Sequence, residues 1–201
     1  MIHVPKIVLL ARLLGFMSLS GLLLIAAPVR VAAGVHAGDL IIGSTSAGGG
    51  DLAVEFDFNQ KVQTSYAFST PTHAVYTATK PGFDALEANE PSFFVLDPGT
   101  QVSIEIVHID PPGSAKIVFP NGNTYRAPGT VLENPGDSAV IGQQGDPDPD
   151  GLHQHGQMQL ILALPAGTFG EARITFKLTA NSTYGDSELY VLTLTNGHLA
   201  P

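Results

Sequence analysis

Hydrophobic and polar positions alternate in short runs along most of the chain. In "QVSIEIVHI", Val102, Ile104 and Ile106 fall on one face of an extended strand, with Ser103 and Glu105 on the other. His108 is next on the apolar face if that alternation continues. Similar short alternating or apolar runs are "LAVEFDF", "HAVYTAT", "SFFVL", "AKIVF", "MQLILAL", "ARITFKL" and "LYVLTLT". Turn chemistry separates them, as in "TKPG", "LDPGT", "DPPGS", "PNGN", "RAPGT" and "PAGTFG". Only "PGFDALEANEP" has room for a helical turn, and its flanking prolines keep it short. The segment "GSTSAGGG" reads as a flexible linker or an open loop. Many short strands joined by Gly- and Pro-rich turns predict an all-β fold, an antiparallel β-sandwich of the Ig-like or jelly-roll type.

The first residues follow a different pattern. Lys6 and Arg12 precede an apolar run from Leu13 to Ala27, which ends at Pro28 and Arg30. That run is shorter than the roughly 20 residues a helix needs to span a bilayer. A basic start, a short apolar middle and small residues after it describe a secretory signal peptide. Val35-His36-Ala37 supplies the small-residue cleavage signal, with Val31-Ala32-Ala33 as a second candidate. We therefore expect residues 1–37 to be a signal peptide and 38–201 a single domain, long enough for a core of its own. Only "NGHLAP" follows the last apolar run, so no C-terminal anchor helix is expected. The expected location is secreted or periplasmic, without stable membrane insertion once processed.

Charge narrows the partners. The chain has 9 basic and 18 acidic residues. Lys6, Arg12 and Arg30 leave with the signal peptide, so 6 basic against 18 acidic residues give residues 38–201 a formal charge of −12. Such a surface repels phosphate backbones, which disfavours nucleic acid, and it attracts cations. Cysteine is absent, which excludes disulfides, thiolate metal ligands and thiol nucleophiles, and with them a blue-copper centre. No "G-x-S-x-G" elbow and no phosphate-cradling loop is present. The protein is expected not to be an enzyme.

The richest chemistry lies in "GDPDPDGLHQHGQMQLIL". Asp146, Asp148 and Asp150, followed by Gly151, match the start of a calcium loop, where alternate oxygens wrap a hard cation. The twelfth position of an EF-hand would be a Glu and is here Gln157, and Pro147 and Pro149 favour an extended segment. A looser calcium loop and a solvated acidic turn remain the alternatives. His153 and His155 are two apart at the mouth of a strand, so both imidazoles share a face. That pair suits Zn²⁺ or Cu²⁺, which take nitrogen ligands at about 2.0–2.1 Å. A further ligand would come from His108, His73 or the aspartates. Met158, Leu160 and Leu162 fall on the opposite face, which assigns Met158 to the core.

The run "GLHQHGQMQLILALPAGTFGEARITFKLTANS", with the following "YGDSELYVLTLTN", resembles the C-terminal half of bacterial secreted β-sandwich proteins. Those have an H-x-H pair before a strand, a turn of this type, and a strand ending in F-x-L-T; some belong to surface-anchored families linked to zinc homeostasis. The chain departs from them in lacking an anchoring tail and the aromatic residues that follow the pair. The resemblance implies a role in metal handling and carries over to His153 and His155 alone. The expected function is thus extracytoplasmic binding of Zn²⁺ or Cu²⁺ for buffering or delivery. Its partners would be the metal ion and another extracytoplasmic protein. The alternative is a structural or interaction module whose acidic loop holds calcium.

Export is checked by the intact mass of the secreted protein, which should begin at Gly38. A mature chain that keeps Leu13–Ala27 would make it membrane-anchored.

Overall fold

Thirteen strands and no helix make up the described part of the chain. The computed structural model describes residues 38–147 and 150–197. The proposed signal segment 1–37, Asp148 and His198 lie outside them. The chain opens with β1 (Leu40–Ser46), β2 (Gly49–Glu55), β3 (Val62–Gln63), β4 (Ser65–Ser69), β5 (His73–Ala78) and β6 (Phe83–Ala85). It continues with β7 (Gln101–Asp110), β8 (Ala115–Phe119), β9 (Thr130–Leu132) and β10 (Ser138–Gln143). The last three are β11 (Gln157–Ala163), β12 (Glu171–Ala180) and β13 (Tyr190–Thr195).

Two five-stranded sheets, ordered β10-β7-β12-β13-β3 and β4-β5-β11-β8-β9, supply most of the core; β2-β1-β6 forms a third, smaller sheet. Pairing is antiparallel throughout except for the short contacts of β1 with β6 and β13 with β3. The fold is therefore all-β and sandwich-like. Alternation decides which residues enter the core: Ile104 and Ile106 of β7, Ile174 and Phe176 of β12, Ile117 and Phe119 of β8, and Met158 and Leu160 of β11 are fully buried in one cluster. Leu40 and Ile42 of the small sheet join the same cluster.

The structure corrects three sequence expectations. "GSTSAGGG" is neither linker nor open loop but the end of β1, the two-residue turn Ala47–Gly48 and the start of β2. Ile42 pairs with Val54 and Ser44 with Leu52, and Gly48 takes the positive φ of 65° that the reversal requires. "PGFDALEANEP" holds no helical turn. Phe83 at its start is buried and pairs with Leu40, so long-range burial outweighs the weak preference of a short helix. His108 is not on the core face. Thr175 pairs with His108 and Phe176 with Ile106, which leaves Val107 as the extra residue of a β-bulge. The bulge reverses the alternation, so Ile109 turns inward and His108 is exposed.

This face assignment is tested by two substitutions followed in urea. Phe176→Ala should cost about 3–5 kcal/mol because it empties a fully buried ring site. His108→Ala should stay within about 0.5 kcal/mol, as an exposed side chain does.

Candidate functional site

One antiparallel bridge sets the geometry of the H-x-H segment. Phe83 N donates to Gln154 O at 2.7 Å, and Gln154 N donates to Phe83 O at 2.8 Å. Both Phe83 and Gln154 are buried. In extended backbone the residues on either side of an inward one face the opposite way. His153 and His155 therefore emerge together, and the antiparallel register sets Asp84 across from His153 and Gly82 across from His155.

The contacts follow that register. His153 Nδ1 lies 3.5 Å from Asp84 Oδ1. The two imidazole rings are 5.1 Å apart between centroids and stand nearly perpendicular at 77°. A Cβ on Gly82 would come within 2.7 Å of His155 Nδ1, so the absent side chain makes room for that ring. Gly82 is itself held from behind: its N–H donates to Asp39 Oδ1 at 2.6 Å, and its carbonyl accepts from Leu40 N at 2.9 Å.

Asp84 is the residue that gives this pair its electrostatics. Its side chain is 10 % exposed. Oδ1 accepts the N–H of Ala85 at 2.9 Å, while Oδ2 is buried and has no hydrogen-bond partner among the described residues. A buried carboxylate is costly unless donors or cations face it. The carboxylate lies on the Nδ1 side of the His153 ring, 3.5 Å away.

Gln154 is locked on its inner side. Its Oε1 accepts from Arg126 Nη2 at 3.0 Å, and its Nε2 donates to Gly151 O at 3.4 Å. Arg126 Nη1 donates to the carbonyls of Val140 at 2.7 Å and Ile141 at 3.2 Å, and Nη2 also donates to Asn121 O at 3.2 Å. Those two β10 carbonyls lie at a second bulge, where Val140 pairs with Ser103 and Gly142 with Val102. The guanidinium also sits 4.1 Å above the centroid of the Phe119 ring. Burial lowers the pKa of Arg126.

The other candidates lie elsewhere or serve other groups. Tyr125 OH donates to Asp146 Oδ2 at 2.7 Å, a bond that raises the tyrosine's pKa. Thr124 N donates to Asp150 Oδ1 at 2.6 Å. These two aspartates thus fasten the acidic loop to residues 123–126. His108 is on the β10-β7-β12-β13-β3 sheet, across the core from the strand that follows the pair. His73 pairs with Ala163, about 20 Å along β11 from Gln157 at roughly 3.3 Å per residue, and its Nδ1 bonds Thr72 Oγ1. Met158 is fully buried, as its place in the alternation requires. Among the described residues no group of three or more His, Asp or Glu side chains gathers in metal-binding geometry. The site offers two imidazoles with one carboxylate behind them.

Sequence reasoning missed Asp84, Gly82 and Arg126. "PGFD" shows only turn residues beside an aromatic, and no local period reveals that it pairs with a segment 71 positions on. Comparison with protein-family models, curated proteins and solved structures finds no match to this chain. No helix of the described residues is long and apolar enough to cross a membrane.

The close approach at Gly82 is tested without any ligand. Gly82→Ala should destabilise the protein by about 1–3 kcal/mol through overpacking. In a His155→Ala background the cost should fall by at least about 0.5 kcal/mol, a coupling that a double-mutant cycle measures. Additive costs would mean that His155 is not what the added methyl meets.

Proposed function

We propose that this protein is an exported, non-catalytic metal-binding β-sandwich, of the Ig-like or jelly-roll type, that holds Zn²⁺ or Cu²⁺ through His153 and His155. The observation that carries this reading is the emergence of both imidazoles from one side of the Phe83–Gln154 bridge, with the buried Asp84 carboxylate behind His153. Neutral imidazole suits these two metals, and a carboxylate behind one ring strengthens it as a ligand. Two protein ligands leave the remaining positions to water or to a donor from another extracytoplasmic protein. An ion held in that way exchanges readily, which fits buffering or delivery better than a structural role. The acidity of residues 38–201 raises the local concentration of cations.

The calcium-loop alternative has less support. Asp146 and Asp150 each direct a carboxylate oxygen to a donor of the 123–126 segment, and a cation would compete with those bonds.

Titration calorimetry at neutral pH tests the proposal. Wild-type protein should bind one Zn²⁺ or Cu²⁺, and the His153→Ala/His155→Ala double variant should lose that binding. Asp84→Asn should weaken it by about 10-fold or more, as removal of a ligand-orienting carboxylate does. Met158→Leu should leave it unchanged. Equal affinity in wild type and the double variant would overturn the assignment and bring the interaction-module reading forward.

A further inference from the structure

We propose that Arg126 is a positioning residue for the His153/His155 pair, acting through the side chain of Gln154; the proposal rests on the metal-binding reading above. Arg126 is only 7 % exposed, and no carboxylate pairs with it among the described residues. Its hydrogen-bond partners among those residues are instead three backbone carbonyls and one amide oxygen, and Nε is buried with no partner among them. Burying a cation without a counter-charge is costly, and an apolar side chain could fill the same space at less cost. The guanidinium does what an apolar side chain cannot. It holds Gln154 Oε1 with a charge-assisted bond, while the Gln154 amide donates to Gly151 O. With both ends of the amide engaged, residue 154 is held in one orientation, and the two histidines extend from its flanking peptide units.

The hold is referenced to the core rather than to the surface loop. Arg126 grips β10 at the Ile141 bulge and stacks on Phe119. Phe119 in turn packs against Phe83, the partner of Gln154 in the bridge, at 6.1 Å between ring centroids. Both strands of the bridge are thereby set against one aromatic ring. The two imidazoles that this hold positions stand 5.1 Å apart between ring centroids, and holding such a pair in place lowers the ordering cost of binding.

The test compares Gln154→Met, Gln154→Glu and Arg126→Lys in the processed protein, with Zn²⁺ alone as the probe. Gln154→Met removes the acceptor at similar volume and should lower zinc affinity by about tenfold or more. Gln154→Glu loses the long 3.4 Å donation to Gly151 O but keeps an oxygen on the guanidinium, the stronger of the two holds, and should restore affinity to within about threefold of wild type. Arg126→Lys lacks the fork that reaches Gln154 and both β10 carbonyls at once, and should behave like Gln154→Met. If Arg126→Lys does not fold, the two Gln154 variants decide the matter. A Gln154→Met protein with a lowered urea midpoint and wild-type zinc affinity would reduce the contact to a structural one and overturn the proposal. The metal-free protein supplies a second readout. Cross-relaxation between the two histidine rings should be present in wild type and Gln154→Glu and lost in Gln154→Met. If wild type binds no zinc, the functional reading fails, and ring contact surviving in Gln154→Met would overturn the positioning role as well.

Discussion

A strand has two faces, and the division of each segment between core and exterior governs both the fold and the site of this protein. Where alternation runs unbroken, as along β12, apolar residues enter the core between the two large sheets. Where it is interrupted, the interruption has consequences. The extra residue at Val107 keeps Ile109 in the core and turns His108 outward. At the H-x-H segment the same two-face rule acts through a polar residue: Gln154 points inward, so its histidine neighbours must point outward together.

A buried glutamine and a buried arginine beside an apolar core are stable only if their polar atoms are met. Each is met mainly by the other and by backbone carbonyls that strand pairing leaves available. The bulge of β10 therefore supplies acceptors to the residue that stabilises the H-x-H bridge. The acidic loop is tied into the same corner, because Asp146 and Asp150 hold the residues preceding Arg126. Within the acidic run, Asp146 and Asp150 each accept a hydrogen bond from the 123–126 segment.

The asymmetry between the two histidines also follows from pairing. His153 faces a carboxylate and is partly buried, while His155 faces a glycine and is exposed. One ring thus lies beside a carboxylate and the other in the space that the glycine leaves.

Much of the fold was legible in the chain itself. "AKIVF" is β8 residue for residue, and "ARITFKL", "MQLILAL" and "QVSIEIVHI" lie on β12, β11 and β7 to within a few positions. Period-2 burial is a local property, and so is the shared face of His153 and His155. Tertiary structure alone decided the β1–β2 hairpin within a glycine-rich segment, the strand at Phe83 in the segment with room for a helical turn, and the outward turn of His108. It also decided that Asp84, Gly82 and Arg126 meet the H-x-H segment. Alternation states which side of its own strand a residue takes. It carries no information about a bulge imposed by a neighbouring strand, or about which distant segment lies across the bridge, since both are set by the packing of the whole core.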